Sequence, residues 1–324
     1  MPAEVAAGSH VGIDVGGGGI RVDALVHGQP RSARDSGPVP RSAGRIDAAT
    51  LAARIGALVA RTSPGGPADR VAVGLTGMPG LLDSPAELAG QLHRHIATRT
   101  VIIASDALTT HLGALRGRPG CVVAAGTGVI VLGTDHAGTW NQADGWGHLL
   151  GDEGSGAWIG AQGLRAALRH RDGRDEGSAA LYRRLRNRFG DPGATLRAVY
   201  GSAAPAYELA GFAPDVGAAA VDGDPVARRI WHRAGVHLAD AARAAARGLP
   251  ADFSWGGRLF DAGPLLRDAF RDALTRRVPD ARLHDPAGHA ADGALLLAQR
   301  GLRRDRPEQA AYAVEFPADA PIAP

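Results

Sequence analysis

Apolar residues alternate with small or polar ones along "HVGIDV" (10–15), pause at four consecutive glycines, and resume along "IRVDALVHG" (20–28). A period of two marks half-buried strands, and the glycines between them mark a hairpin turn. "QPRSARDSGPVPRSAGR" (29–45) has no such period and reads as a connection rich in Pro, Ser and Arg. Leu51, Ile55 and Leu58 then recur at helical spacing. After "TSPGGPAD" comes a short buried strand, "VAVGL" (71–75), and a helix over about 85 to 97. "VIIA" (101–104) is a further strand; it ends at "SDA" and runs into the helix "LTTHLGALRG" (108–117).

The pattern then restarts. "CVVAA" (121–125) is a strand, "GTG" (126–128) a tight turn and "VIVLG" (129–133) a returning strand. A helix is expected from about 154 to 170, while 171–225 resolves only into loosely placed helices and loops. An alanine-rich helix over about 225–248, a strand "DFSWGG" (252–257), a helix to about 277 and a last helix over 291–303 follow. The tail "PADAPIAP" is expected to fray. Each half therefore opens on a glycine-turned hairpin, an internal repeat of architecture rather than of sequence. Two α/β lobes are expected, with a cleft between them in which a small ligand would bind.

Composition narrows the setting. A chain of 324 residues, 45% hydrophobic, suits two domains of a soluble globular protein. It holds no apolar run of the ~20 residues needed to span a bilayer. "MPAEVAAGSH" has neither the basic nor the apolar region of a signal peptide, so a cytoplasmic protein without a membrane partner is expected. Cys121 is the only cysteine, which excludes an internal disulfide and a four-thiolate cluster within the chain.

The net charge is +3, and all 36 basic residues are arginine. They are spread through helical patterns such as "LYRRLRNRFG" and "LLRDAFRDALTRR", which read as solvated faces rather than a nucleic-acid footprint. No nucleic-acid partner is expected. The absence of lysine excludes a Walker A loop, Schiff-base chemistry and the kinase strand lysine. Any phosphate here must be held by backbone amides, arginine or a metal.

Four places carry candidate chemistry. Asp14 ends a strand before Gly16, Gly17 and Gly18, whose consecutive amides could form an anion nest. Alone, the motif reads equally as a plain hairpin turn. It is not a dinucleotide fingerprint, because it joins strand to strand. "AAGTGVI" adds the hydroxyl of Thr127 between Gly126 and Gly128. Asp106 stands where a buried strand meets a helix; it or Ser105 could be the helix cap, or its carboxylate could take a proton from a substrate hydroxyl. "DGWGHLLGDEGSGAWIG" (144–160) combines bare backbone with Trp146, His148, Asp152 and Glu153. The two acids suit the positive end of a helix, and Asp152 could equally bond a sugar. A tryptophan between two glycines is not expected inside a regular element. The twelve histidines show no metal-binding spacing.

Together, "GIDVGGGGIR", "GLTG", "SDALTTHLGAL", "AAGTG", "GWGHLLGDEGSGAWIG", "SWGG" and "AADGALLLA" resemble the N-acetylglucosamine kinases and the BadF/BadG/BcrA/BcrD-type ATPases of the actin and hexokinase superfamily. The resemblance implies two ribonuclease-H-like α/β lobes, 1–115 joined by the helix 291–305, and 116–290, with ATP and Mg²⁺ in the cleft. It implies that Asp14 orients the magnesium through water and that Gly16 to Gly18 line the phosphates. Gly126, Thr127 and Gly128 would be the second phosphate turn, and Gly256 and Gly257 the nucleotide edge. Asp106 matches the base that activates the 6-hydroxyl of a sugar. Thr76, Gly77, Gly145, Trp146 and Asp152 match positions around that sugar, most often an amino sugar, and the resemblance implies a homodimer.

One departure stands out. The family's Thr or Ser and its following basic residue are replaced by Gly18 and Gly19. The lost hydrogen bond to a charged group is worth about 1.5–3 kcal/mol. Arg21, on the next strand, compensates only if it faces the same way. Two other classes stay open: an activating ATPase with an interface iron–sulfur cluster, for which Cys121 has no companion, and a sugar sensor that kept the fold.

Overall fold

The computed structural model describes residues 8–37, 39–42, 45–63, 66–76, 84–303 and 307–319. The chain divides into two compact units. Unit 1 takes the residues up to Arg118, Asp135–Trp140 and the chain from Asp285 onward; unit 2 takes Pro119–Thr134 and Asn141–His284.

The elements run β1 (His10–Gly16), β2 (Gly19–Val26), β3 (Gln29–Asp35), a small hairpin of β4 (Arg41–Ser42) and β5 (Arg45–Ile46), α1 (Ala48–Thr62), β6 (Ala68–Leu75), α2 (Pro85–His95), β7 (Thr98–Ser105) and α3 (Asp106–Leu115). Unit 2 follows with β8 (Gly120–Ala125), β9 (Val129–Thr134), β10 (Trp140–Asp144), α4 (Gly156–Arg171), α5 (Ala179–Phe189), α6 (Pro192–Tyr200), α7 (Pro205–Gly211), α8 (Ala213–Val221), α9 (Pro225–Ala245), β11 (Asp252–Gly256), α10 (Pro264–Arg277) and β12 (Arg282–Leu283). The chain then returns to unit 1 through α11 (Ala290–Arg300) and β13 (Ala313–Pro317).

The internal repeat is visible in topology. The unit 1 sheet runs β13-β7-β6-β1-β2-β3 and the unit 2 sheet β10-β9-β8-β11-β12. In both, the first strand lies between an antiparallel hairpin partner and a parallel crossover partner. These are the two α/β lobes expected from the glycine hairpins, in the ribonuclease-H-like class that the family resemblance implies. Among the described residues, no helix is long and apolar enough to cross a membrane.

Three elements differ from the sequence reading. "QPRSARD" forms β3, an edge strand whose residues are largely exposed and so carry no apolar alternation. β10 was hidden in the run before Gly145. Ala313–Pro317 pairs antiparallel with β7 as β13, so the tail expected to fray begins tied to the sheet; its residues 320–324 lie outside the described residues. The poorly legible stretch 171–225 holds α5 to α8, whose caps Ser178 and Asp191 each accept a backbone N–H of the first turn.

The unit 1 sheet has two unlike faces. Val11, Ile13 and Val15 of β1, with Val71, Val73 and Leu75 of β6, join the apolar core under α1 and α2. Removing such side chains from water stabilises by about 25 cal/mol per Å² of apolar surface. The other face carries Gly12 and Asp14, by the alternation of a strand. There α11 lies so close that a Cβ on Gly12 would meet the backbone of Leu295 and Ala291. A Cβ on Gly113 or Gly293 would likewise run into the facing backbone of α11 or α3. These three glycines seat α3 and α11 on the strand that carries Asp14.

Candidate active site

In unit 1, β1 and β2 close on a two-residue turn: Gly16 pairs with Gly19, leaving Gly17 and Gly18 exposed at the tip. A Cβ on Gly16 would meet nothing within 4 Å, so this backbone is open to an approaching group. Thr76 follows β6, and its N–H donates to the Val15 carbonyl at 3.0 Å, which holds it beside the end of β1. Gly77 lies outside the described residues.

Asp106 begins α3. Ser105 is the cap, its hydroxyl accepting from the Leu108 N–H at 3.3 Å. Ser105, not Asp106, thus supplies the side-chain cap, and the helix N-terminus beside Asp106 favours negative charge. Loss of solvent and the neighbouring Asp106 carboxylate push the Asp14 pKa up to about 7, against the pull of Arg21. The carboxylate on β1 thus feels the one that begins α3, as like charges do at close range.

Arg21 is the direct ladder partner of Asp14, so the two side chains leave the same face of the sheet. Gly74 of β6 lies on the other side of Asp14 in the same row.

In unit 2, the Gly126 N–H donates to the Gly128 carbonyl at 2.8 Å, closing the turn between β8 and β9. The first turn of α4 grips it: the Gly156 and Ala157 N–H groups donate to the Gly126 and Thr127 carbonyls at 2.9 and 3.0 Å. Gly256 pairs with Ala124, and Gly257 lies so close to Ala125 that a Cβ would strike its carbonyl. Gly126, Thr127, Gly128, Gly256 and Gly257 thus gather at one end of β8 and β11.

Asp152 joins this group. It is 8% exposed, and its carboxylate lies over Gly128, where a Cβ would come within 2.6 Å of Oδ2. Burial raises its pKa, while backbone N–H groups of Val129 and Gly147 act the other way. The acids before α4 are not its cap: Ser155 is, accepting from the Trp158 N–H at 3.2 Å. Glu153 faces His237 Nδ1 at 3.1 Å.

Sequence reasoning missed Asp144. One oxygen accepts from the N–H groups of Gly145 and Asp152 at 2.8 and 2.6 Å, the other from Glu153 at 3.0 Å. The loop 145–151 is pinned at both ends by this one side chain. Its "DG" dipeptide was the available signal. Left-handed backbone at Gly145 and Gly147, with φ of +86° and +82°, turns Trp146 outward. Trp146 is 70% exposed, and Leu149 and Leu150 beside it are 83% and 86% exposed.

These motifs coincide with a known sequence family. The model of the BadF/BadG/BcrA/BcrD ATPase family matches residues 11–298. The chain belongs to that family. It is 28% identical over 209 residues to an N-acetylmuramic acid/N-acetylglucosamine kinase of Clostridium acetobutylicum, covering 61% of this chain and 67% of that one. Over 71 residues, 22% of each chain, it is 41% identical to an N-acetyl-D-glucosamine kinase of Dictyostelium discoideum. Among solved structures, a candidate N-acetylglucosamine kinase from Chromobacterium violaceum superposes with a TM-score of 0.72 at 30% identity, over 90% of this chain and 99% of that one. A ROK family glucokinase from Streptomyces griseus, solved with glucose and AMPPNP, shares the fold at TM-score 0.62 and 20% identity, over 91% of this chain and 100% of that one.

Proposed function

We propose that this chain, an ATP-dependent carbohydrate kinase by family, transfers the γ-phosphate of ATP to the 6-hydroxyl of an amino sugar, N-acetylglucosamine or glucosamine. The observation that carries the reading is the Asp14–Asp106 pair in unit 1, with Ser105 rather than Asp106 serving as helix cap. Asp106 takes the proton of the attacking hydroxyl, and the glycine turns offer backbone amides to the phosphates. Transfer of this kind depends on positioning and charge more than on covalent chemistry.

A divalent cation fits the donors present. Asp14 is a hard oxygen ligand whose charge is destabilised by burial and by Asp106, and the adjoining Gly16 backbone is unobstructed. Asp14 would hold hydrated Mg²⁺, which when bound neutralises phosphate charge. Arg21, facing the same side as Asp14, supplies positive charge that Gly18 and Gly19 cannot.

In unit 2, Gly145, Trp146 and Asp152 line the proposed sugar side, Trp146 offering an aromatic face and the loop its backbone groups. Gly126 to Gly128 with Gly256 and Gly257 line the proposed nucleotide side. The proposal includes a cytoplasmic homodimer, as the family resemblance implies. A hexose or cyclitol acceptor, or a sensor that binds sugar without turnover, is the second reading, favoured by the missing hydroxyl at Gly18. Sugar-dependent ADP release from Mg-ATP, and its loss in Asp106→Asn, tests the first reading. Sugar binding without turnover would support the sensor.

A further inference from the structure

Beside Asp14, the row across the unit 1 sheet holds more charge than the proposed chemistry requires. Arg21 of β2 stands opposite Asp14, and Arg34 of β3 stands opposite Arg21. Like charges directly across a ladder repel. The counter-charge comes from one position along the same face: Asp23 Oδ2 lies 3.4 Å from Arg21 Nε. The same oxygen faces Nε2 of His289 at 3.7 Å. Asp23 Oδ2 and Arg21 Nε are both shut off from solvent at ion-pair distance without a hydrogen bond.

His289 is the cap of α11, and Asp292 fixes its ring. The Asp292 N–H donates to Nδ1 at 3.3 Å, and the His289 N–H donates to the Asp292 carboxylate at 2.8 Å. Nδ1 also lies 3.0 Å from the Asp292 carboxylate, so the ring stands between two carboxylates, Nδ1 facing Asp292 and Nε2 turned toward Asp23. Capping alone does not call for this residue. Asn, Asp or Ser would supply the acceptor that Nδ1 supplies, and they are the preferred caps. The imidazole adds a second contact to Asp292 and a reach that ends at Asp23.

We propose that Asp23, His289 and Asp292 are positioning residues that hold the Arg21 guanidinium beside Asp14. Asp292 sets the ring, the ring steadies the Asp23 carboxylate, and that carboxylate fixes Arg21 Nε on the sheet face that Arg21 shares with Asp14. The catalytic meaning of this relay rests on the reading of Asp14 as the phosphate-side carboxylate. The relay itself is a property of β2 and α11.

The test separates the ring's two nitrogens. His289→Asn keeps the cap but cannot reach Asp23, whereas His289→Gln places an amide N–H near the position of Nε2. Nucleotide affinity is measured by calorimetry with Mg-AMPPNP, sugar affinity separately, and the Arg21 Nε–H resonance by ¹⁵N NMR. The relay predicts that His289→Asn and Asp23→Asn weaken nucleotide binding at least tenfold, with sugar affinity and Tm kept, and that His289→Gln restores most of it. The Arg21 signal should shift and exchange faster in the first two variants only. Wild-type nucleotide binding and an unmoved Arg21 signal in both variants would overturn the proposal. So would one equivalent of Zn²⁺ bound by wild type and lost in Asp23→Asn, since the three residues would then be a cation site. If wild type binds no nucleotide, the kinase reading fails, and the Arg21 signal alone decides the relay.

Discussion

The Asp144 carboxylate accepts the backbone N–H of Asp152 at 2.6 Å, across the base of the loop that carries Trp146. With Gly145 and Glu153 it gathers three donors on one side chain. Asp144→Ala would leave those donors to water or unpaired, at about 1–3 kcal/mol. The expected result is a modest loss of Tm together with a raised KM for sugar and little change in KM for ATP. Steady-state kinetics with each substrate varied in turn checks it.

Trp146 separates packing from binding. A side chain that is 70% exposed contributes little to the fold, so Trp146→Ala should stay within about 0.5 kcal/mol of wild type in urea unfolding. Its sugar affinity, measured by calorimetry, should fall at least tenfold. Unchanged affinity would remove Trp146 from the sugar side.

Asp14 carries a charge that the fold does not favour. Its folded pKa of about 7 lies above the ordinary 3.8, so the protonated form is the one folding prefers. Below pH 4 the group is protonated folded or unfolded and has no effect. Between pH 4 and 7 its ionisation increasingly opposes folding, reaching about 4 kcal/mol above pH 7. Asp14→Asn should therefore raise Tm at pH 8 and leave it unchanged near pH 4, while abolishing turnover.

His136 acts in the opposite direction over nearly the same pH window. Burial lowers its pKa from 6.5 to about 4, so folding prefers the neutral ring. Its contribution is intact above pH 6.5 and is lost as pH falls toward 4, by about 3 kcal/mol. It packs edge-on against His111 at 4.8 Å and against Trp140 at 5.9 Å. His136→Phe should flatten the decline of Tm between pH 6.5 and 4, as followed by circular dichroism melts.

Gly293 tests how the helix pair is seated. A Cβ there would strike the Thr109 carbonyl and come within 2.5 Å of the Gly113 nitrogen, both backbone. Overpacking costs typically 1–3 kcal/mol, and rigid partners put Gly293→Ala at about 3 kcal/mol or more. Equilibrium denaturation measures it.

Much of this was legible because period and glycine placement report strongly. The hairpins at Gly16–Gly19 and Gly126–Gly128, and the strand-to-helix junction at Asp106, follow from local pattern. What stayed hidden depends on partners distant in sequence. β3 lies on a sheet edge and keeps polar residues on both faces, so no alternation marks it. β13 finds its place only by pairing with β7, about two hundred residues earlier in the chain. In the site, Asp14, Asp106 and Asp152 were readable as acids next to glycine or at an element's end. Asp144 was not, because its role lies in backbone donors eight and nine residues later. Nor could the facing of Arg21 be read before the β1–β2 register placed it opposite Asp14.

The central claim is tested most directly by ADP release with Mg-ATP across hexoses, amino sugars and cyclitols, comparing wild type with Asp106→Asn. The account predicts turnover stimulated most by an amino sugar, a product phosphorylated at O6, and a loss of at least a thousandfold in kcat for the variant with sugar binding retained. Sugar binding without any stimulated ADP release in wild type, or an Asp106→Asn variant as active as wild type, would contradict it.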